Sequence, residues 1–326
     1  MNLVCRRFFS VAGAWLTPVL AAACVLVNAP ANSQTDFPNR RIHLVLPYPT
    51  GGIADVATRI VTDKLSEMWR QPIVIEAKPA AHGNLAWDEV SRARPDGDTW
   101  TFITSATMVN PRIDPNLRWS EKSFVPIGAT VWGPGVVVVH PSVPVNTVAE
   151  FIDYVRKHPG VLRMGYFGVG SGPALSAAVF LNATKLDVVA VPYNGAPPSI
   201  LDLMANRVQF AVLPLGLVVQ HIDSGAMKAL AVVATTRAPF LPNTPRPMSC
   251  LGRATASTRG TPQPVVDKIV AGFNEVMKNP NVREALQKQA LQPIDPMNAG
   301  DLAELYATDT EKYAKIIREA NIKLSD

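Results

Sequence analysis

The residues with the clearest chemical potential are two neighbouring glycines, Gly51 and Gly52, within residues 49–55. The apolar run Ile42–Leu46 before them predicts a buried strand, and apolar residues at helical spacing after them, as far as Met68, predict a helix. Glycine lets the backbone take a positive φ and lets a ligand approach closely. The unpaired N–H groups at a helix start favour an anion. The segment therefore predicts either an anion-binding turn or an ordinary tight connection.

A second glycine-rich turn, residues 168–172, contains Ser171 and precedes a predicted helix that starts near Ala174. A nucleophile elbow needs glycine two positions before and after the serine, but Val169 and Pro173 stand there. A dinucleotide-binding fingerprint fails as well, because Pro173 replaces its last glycine. The turn therefore predicts either a second anion-binding turn, with a serine hydroxyl as a donor, or a flexible loop.

Neutral polar side chains follow other predicted strands. Ser105, Thr107 and Asn110 come after the strand Thr99–Ile103. Tyr193 ends a later strand, where its ring and hydroxyl either meet a ligand or pack in the core. Ligands of open α/β sheets bind at the carboxyl ends of the strands. Because these turns are rich in neutral donors and poor in acids, they predict a cleft that binds a ligand without reacting with it.

Metal and catalytic clusters are not predicted. The five histidines are scattered along the chain, and none pairs with another at metal-ligand spacing. Of the three cysteines, only Cys250 lies outside the first 31 residues, so no zinc site and no internal disulfide is expected after export. We expect no cofactor and no enzymatic activity. A carboxylate hydrolase is the weakest of the functional alternatives.

The start of the chain predicts an export signal. Arg6 and Arg7 form a positive segment, residues 11–27 are largely apolar, and Ala31 ends an A-x-A cleavage site. The predicted location is therefore the periplasm, after cleavage near Ala31. Two variants stay open, because the arginine pair weakly resembles a twin-arginine signal and Cys24 is a weak candidate for lipoprotein processing.

Composition and charge exclude further classes. The formal charge of +5 falls to +3 once Arg6 and Arg7 are removed, which is too small and too dispersed to predict nucleic-acid binding. It is compatible with a small anionic ligand. No second hydrophobic run approaches membrane-spanning length. Roughly 290 residues remain after cleavage, enough to bury a sizeable core in two lobes.

Strand-like and helical segments alternate, which predicts α/β layers. Residues 136–139 are continuously apolar, as in a strand buried on both faces. Thr147 and Glu150 have the spacing of a capping box and predict a helix start. The end of the chain is predicted to be helical. Further strands are predicted at residues 73–76, 188–191, 210–213 and 229–233.

Taken together, these segments resemble the extracytoplasmic substrate-binding proteins of tripartite tricarboxylate transporters, also called Bug receptors. The resemblance runs from about Pro38 to Lys323. The segments that carry it are P-x-G-G-x-x-D at 49–55, a variant of R-P-x-x-x-G-N at 78–84, P-D-G-x-T at 95–99, H-P-S-x-P at 140–144 followed by Glu150-Phe151, V-P-Y-x-G at 191–195 and G-T-P-x-P-V-V-D-K at 260–268.

The resemblance implies an α/β, two-lobed periplasmic-binding-protein fold of type II, with two Rossmann-like sheets and hinge crossings near residues 136–140 and 233–237. It implies a monomer that binds a small carboxylate and delivers it to the membrane subunits of the transporter. A sensor that passes a carboxylate signal to a signalling partner is the alternative. The expected division is a signal peptide at 1–31, lobe one at 36–138 plus 236–326, and lobe two at 139–235.

The turns and the resemblance together predict a ligand site without metal ligands. Its members are residues at strand ends and helix starts in both lobes. They are Tyr48, Thr50, Gly51, Gly52, Asp55, Ser105, Thr107, Gly168, Gly170, Ser171, Tyr193 and Gly195.

The chain departs from the family pattern at three places. Ala80, Ala81 and His82 stand where glycines are usual, which implies a bulkier rim. Ala174 stands where histidine is common. Residues 241–260 form a shorter stretch than usual, without the aromatic residue of the family's strand. This shortening predicts that the lobe-one sheet has either lost a strand or replaced it with irregular chain, and that lobe one is less stable.

Overall fold

A computed structural model describes residues 36–168, 170–233 and 252–319, with the backbone alone at positions 252, 253 and 319. The predicted export signal and residues 234–251 lie outside the described residues. None of the described helices is both long and apolar enough to cross a membrane.

Strands and helices alternate along the chain, as the sequence predicts. The strands are β1 (Ile42–Leu46), β2 (Ile73–Ala77), β3 (Thr99–Ile103), β4 (Phe124–Trp132), β5 (Gly135–Val139), β6 (Arg163–Phe167), β7 (Val189–Tyr193), β8 (Phe210–Pro214), β9 (Lys228–Val233), β10 (Gly252–Thr258) and β11 (Gln292–Pro293). The helices are α1 (Ile53–Trp69), α2 (Asn84–Ser91), α3 (Ser105–Ile113), α4 (Val148–Lys157), α5 (Gly172–Thr184), α6 (Ala196–Met204), α7 (Leu215–Asp223), α8 (Gln263–Lys278), α9 (Pro280–Gln287) and α10 (Ala299–Glu319).

The strands form two sheets. The six-stranded sheet has the order β11-β4-β10-β3-β1-β2, and the five-stranded sheet has the order β7-β6-β8-β5-β9. We call the first sheet with α1–α3 and α8–α10 lobe one, and the second with α4–α7 lobe two. In both sheets parallel strands are joined through helices, which is the α/β architecture that the alternating pattern predicts.

The chain first passes between the sheets a few residues earlier than expected. Strand β4 ends in lobe one at Trp132, and β5 begins in lobe two at Gly135. The crossing is therefore made by Gly133 and Pro134 rather than by residues 136–140. The physical reason is that all five residues of β5 are buried between β8 and β9, so the apolar run belongs to the second sheet. The return crossing follows Val233, outside the described residues.

The expected loss of a lobe-one strand is wrong. Strand β10 occupies the place between β3 and β4 and pairs antiparallel with both. Its residues from Ala254 to Thr258 have small side chains, and Ala256 is fully buried. Aromatic volume comes instead from α8, because Phe273 packs so closely on Gly128 of β4 that a Cβ there would lie 2.4 Å from the ring. The ring of Phe273 also lies 5.6 Å from that of Trp100. A strand of small residues thus fits because a neighbouring helix fills the space.

The predicted start of α4 is present, with one change. The side chain of Thr147 accepts a hydrogen bond from the Glu150 N–H, as an N-cap does. The Glu150 carboxylate accepts from the N–H of Asn146, one residue earlier than a capping box requires.

The two lobes share apolar contacts. Leu175 of α5 packs in a buried cluster with Met108 and Val109 of α3 and with Tyr313 and Ile317 of α10. The lobes therefore lie against each other on one side of the cleft between the sheets.

Candidate functional site

Five helices from both lobes begin around one cleft. The first residues of α1, α3, α5 and α6 line it, and so does Pro214, which precedes α7. We call this cleft the main compartment. It holds about 740 Å³ of space, counting the part open to solvent. The N–H groups in a first helical turn have no acceptor within their own helix, and the helix dipole is positive there. The convergence therefore makes the compartment attractive to an anion.

No acidic or basic side chain is among the residues that line the main compartment in the described parts of the chain. Apolar side chains make up much of the wall, among them Ile53, Phe167 and Leu217, together with prolines such as Pro134 and Pro214. Neutral hydroxyl groups of Tyr48, Thr104, Ser105 and Ser171 complete it. The main compartment can therefore bind the anionic group of a ligand through backbone dipoles and the apolar part of the same ligand through packing.

The lobe-one turn is held together by its own aspartate. The N–H of Gly51, at a φ of +78°, donates to Asp55 Oδ2 over 2.9 Å. Asp55 Oδ1 accepts from Arg59 Nε over 2.9 Å. Asp55 is therefore a support of the turn rather than part of the wall. Gly52 is the N-cap of α1 and lines the compartment, whereas Thr50 and Gly51 do not.

The lobe-two turn has a different role. Ser171 caps α5, and its hydroxyl donates to the carbonyl of Phe167 over 2.7 Å, so its hydrogen is used within the lobe. This corrects the expectation that the hydroxyl donates to a ligand. Gly170 packs on α3 of lobe one. Its carbonyl accepts from Ser105 Oγ over 2.9 Å, and a Cβ at Gly170 would lie 2.3 Å from Asn110 Oδ1. Gly170 is thus a contact between lobes.

Several polar side chains lie at the end of strand β3, and the sequence predicted only some of them. Thr104 caps α3, and its hydroxyl lies 2.8 Å from that of Tyr48. Thr107 is buried and donates to the Thr104 carbonyl over 2.6 Å, so it does not line the cleft. Sequence reasoning missed Thr104, although a threonine between a strand and a helix is a recognisable N-cap signal.

A second compartment adjoins the first. It holds about 260 Å³, counting the part open to solvent, and shares Tyr48, Pro49, Phe167 and Gly195 with the main compartment. We call it the small compartment. A Cβ at Gly195 would lie 2.6 Å from the Pro49 side chain, so this glycine also allows the lobes to touch. His82 of lobe one lines the small compartment and was not among the predicted site residues.

Tyr193 lines the small compartment with its ring, but its hydroxyl points elsewhere. The hydroxyl donates to Asp202 Oδ2 over 2.8 Å. Burial, and then this hydrogen bond, raise the pKa of Tyr193 to about 12. Hydrogen bonds from Tyr193 and Arg207 lower the pKa of Asp202. Tyr193 therefore contributes to the wall of the small compartment by the packing of its ring and not by its hydroxyl.

The predicted site residues fall into three groups. Five line the main compartment: Tyr48, Gly52, Ser105, Ser171 and Gly195. Gly168 and Tyr193 line the small compartment. Five line neither and support the turns or the lobe contact instead: Thr50, Gly51, Asp55, Thr107 and Gly170.

One group in the described parts of the chain has metal-like spacing that the sequence did not reveal. It comprises His43, Glu76 and Glu89 on the surface of lobe one. Lys78 already forms ion pairs with both carboxylates, at 3.0 Å and 2.6 Å. The lysine ammonium therefore already supplies a positive charge beside both carboxylates at this surface.

The fold and the cleft define a solute receptor of the periplasmic-binding type. Residues 57–322 match the model of a family described as "Tripartite tricarboxylate transporter family receptor" (TctC). The protein belongs to this family, and it is a Bug-type substrate-binding protein. The match confirms the family and the two-lobed fold predicted from the sequence.

Individual proteins that are similar to this chain include a Bug protein and solved structures with a bound carboxylate. The chain is 25% identical over 310 residues to the protein BugT of Bordetella pertussis, covering 91% of this chain and 94% of BugT. A solved structure titled "R. palustris Rpa4515 with adipate" has a TM-score of 0.82 at 26% identity, over 88% of this chain and 99% of that one. The structure of MatC from Rhodopseudomonas palustris with bound malate has a TM-score of 0.79 at 26% identity, over 86% and 100% of the two chains.

Proposed function

We propose that the protein binds a small carboxylate between its lobes and delivers it to the membrane subunits of a tripartite tricarboxylate-type transporter in the periplasm. The observation that carries this proposal is the convergence of five helix starts on a cleft whose wall has no acidic side chain. The similar structures with adipate and with bound malate support a carboxylate as the ligand class.

The start of α1 is the strongest candidate for the carboxylate contact. Ile53 and Ala54 line the main compartment, and their N–H groups lie in the first turn of the helix. The starts of α5 and α6 offer fewer donors, because Pro173 and Pro197 have no N–H group. A charge-assisted hydrogen bond contributes about 1.5–3 kcal/mol, and a helix dipole about 0.3–1 kcal/mol.

The apolar part of the wall determines which carbon skeleton the ligand can have. A highly hydroxylated body would lose hydration against Phe167 and Leu217 without gaining partners, and such burial is unfavourable. A hydrocarbon body gains from the same contacts at roughly 25 cal/mol per Å² buried. The site therefore favours a carboxylate with an apolar carbon skeleton.

Close contacts between the lobes allow the ligand to be enclosed. Three glycines of lobe two face lobe-one atoms so tightly that a Cβ would clash: Gly170, Gly195 and Gly216, the last at 2.0 Å from the Gln289 carbonyl oxygen. In the proposed cycle the ligand is trapped when these surfaces meet, and the joined lobes form the surface that the membrane subunits recognise.

Calorimetric titration with mono-, di- and tricarboxylates tests the ligand class. The protein should bind at least one of these acids tightly, and Gly52→Val should abolish that binding, because the new side chain projects into the main compartment. The fold should be retained, since Gly52 has an ordinary φ of −72°. Gly300→Val is the matched control, because its Cβ space is similar (3.1 Å against 3.2 Å) and it lies at the start of α10.

Unchanged binding by Gly52→Val would contradict the placement of the carboxylate at α1. Delivery is tested separately, by uptake of the bound acid in cells that lack this protein but keep the membrane subunits. Uptake at the normal rate would contradict the transport role.

A further inference from the structure

We propose that His82 determines specificity by binding a second carboxylate, at the far end of an elongated ligand whose first carboxylate lies at the helix starts. The inference rests on the proposed function and goes beyond it, because it assigns to one residue of this chain, His82, the selection of acids with two carboxylate ends over acids with one.

The position of His82 is the first observation. It lines the small compartment together with Gly168 and Tyr193 of lobe two, and this compartment opens into the main one through shared walls. Among the residues that line the two compartments in the described chain, His82 alone has a basic side chain, and none is acidic. A ligand with one anionic end at the helix starts therefore finds a single basic residue, His82, within the cleft as a donor for a second anionic end.

The second observation is the unusual backbone that carries the imidazole. Ala81, His82 and Gly83 all have positive φ, at 50°, 56° and 90°. A left-handed conformation is unfavourable for alanine and histidine, and consecutive residues of this kind are rare. Backbone strain of this sort is found where a functional side chain must be held in place.

The third observation is the imidazole itself. Its Nδ1 is shielded from solvent and has no hydrogen-bond partner among the described residues. A buried polar atom without a partner is costly, because most buried polar atoms are bonded to protein or ordered water, so the ring gains a hydrogen bond by turning toward an acceptor that enters the small compartment. An imidazole N–H can donate to a carboxylate from either nitrogen, in the neutral ring as well as in the charged one.

The turn is also tied to the lobe contact. Asn84, directly after Gly83, accepts a hydrogen bond from Asn110 Nδ2 over 2.9 Å. Asn110 in turn faces Gly170 of lobe two. The strained turn is thereby positioned by the same residues that bring the lobes together, so His82 reaches the ligand when the lobes meet.

The test compares ligands of equal length with one or two acidic ends. Succinate, glutarate, adipate, pimelate and suberate are titrated against butanoate, pentanoate, hexanoate, heptanoate and octanoate by calorimetry. The native protein should prefer at least one dicarboxylate over the monocarboxylate of the same length by about tenfold or more, the scale of one charge-assisted hydrogen bond. His82→Gly should lose that preference and keep its affinity for the monocarboxylate.

Two further variants separate the imidazole from the backbone. Ala81→Gly relieves the same kind of strain but keeps the imidazole, so it should keep the preference. His82→Asn tolerates the left-handed conformation and still donates a neutral hydrogen bond, so it should keep part of the preference. Both glycine variants should melt at a higher temperature than the native protein, because the strain is removed.

An unchanged preference in His82→Gly would overturn this inference, while tight binding of any of these acids by the native protein would leave the proposed function standing. A preference lost equally in Ala81→Gly would also overturn it, since the turn and not the imidazole would then select the ligand. A native protein that binds none of these linear acids overturns this inference, and one that also binds no tricarboxylate overturns the proposed function.

Discussion

The two glycine turns at the cleft look alike in sequence but differ in structure. In lobe one, Gly52 carries the start of α1 into the main compartment, and Asp55 satisfies the turn from behind. In lobe two, Gly170 faces α3 of the other lobe, and Ser171 satisfies the turn through its bond to the Phe167 carbonyl. The first turn is built to present backbone donors, whereas the second is built to let the lobes meet.

Glycine at a strand-to-helix turn can therefore serve two different structural purposes. A missing side chain leaves room either for a ligand or for the backbone of another element. Which of these applies depends on what lies opposite the glycine, and this is set by the arrangement of the two sheets.

The largest expected effect comes from placing a charge at the lobe-two turn. Aspartate caps a helix as well as serine does, so Ser171→Asp should keep the cap of α5, although its charge at a buried position lowers the stability of the protein somewhat. Its carboxylate would stand in the main compartment, and two like charges about 4 Å apart repel by about 4 kcal/mol in a protein-like medium. Binding of a carboxylate should therefore weaken by about a hundredfold or more in a calorimetric titration.

Ser171→Asn is the matched control, because it supplies a neutral cap of the same size. It loses the same bond to Phe167 but adds no charge, so it should bind within a fewfold of the native protein. Equal binding by the aspartate and asparagine variants would show that the ligand's negative charge lies elsewhere.

A methyl group at the lobe contact should have an intermediate effect. In Gly170→Ala the new Cβ would lie 2.3 Å from Asn110 Oδ1 and 2.9 Å from the Ala106 Cα. The lobes must then separate slightly, and we expect affinity to fall by about tenfold, or about 1.4 kcal/mol. Calorimetry gives the affinity, and small-angle scattering of the ligand-saturated protein gives the separation.

Combining Gly170→Ala with Asn110→Ala sharpens this result. Removing the amide takes away the tighter of the two clashes, so the double variant should recover part of the affinity and show a coupling between the two positions. Independent effects of the two substitutions would argue that Gly170 and Asn110 do not meet across the cleft.

The smallest expected effect on binding is that of Tyr193→Phe. The lost hydroxyl donates to Asp202 and not into the small compartment, so affinity should change by less than about twofold, whereas Tyr193→Ala should weaken binding through the lost ring. The contribution of the Tyr193–Asp202 hydrogen bond to the stability of the protein should depend on pH. Because the folded pKa of Asp202 is lowered, its contribution is present above the unfolded value near 4 and is lost as the pH falls through the folded value.

Urea unfolding at neutral and acidic pH measures that difference. The native protein should be more stable than Tyr193→Phe at neutral pH, and the gap should narrow in acid. A large loss of affinity with no such gap would mean that the hydroxyl serves the ligand.

Local patterns were sufficient to predict much of the fold. The continuous apolar run of β5 and the glycine turns with helical spacing after them identify strands and helix starts without tertiary information. The fate of the short segment before Gly260 was not predictable in this way. Strand β10 has small side chains from Ala254 to Thr258, and its place in the sheet depends on Phe273 from a distant helix filling the space above Gly128.

The site was predictable only in outline. Strand ends indicated the edges of both sheets at which the main compartment lies, and ligand sites in α/β folds are found at such edges. The direction of each side chain was not predictable, since Ser171 and Tyr193 use their hydroxyl groups within lobe two. The position of His82 in the small compartment was also not predictable, because its left-handed backbone is a property of the folded turn and not of the residue type.

The central claim is that helix-start N–H groups hold a carboxylate between the lobes. A crystal structure of the protein with the tightest-binding acid of the titration panel tests it most directly. We expect carboxylate oxygens within hydrogen-bond distance, about 2.7–3.2 Å, of the N–H of Ile53 or Ala54, with lobe two covering the ligand. A carboxylate bound outside the main compartment, or held there by a charged side chain alone, would contradict it.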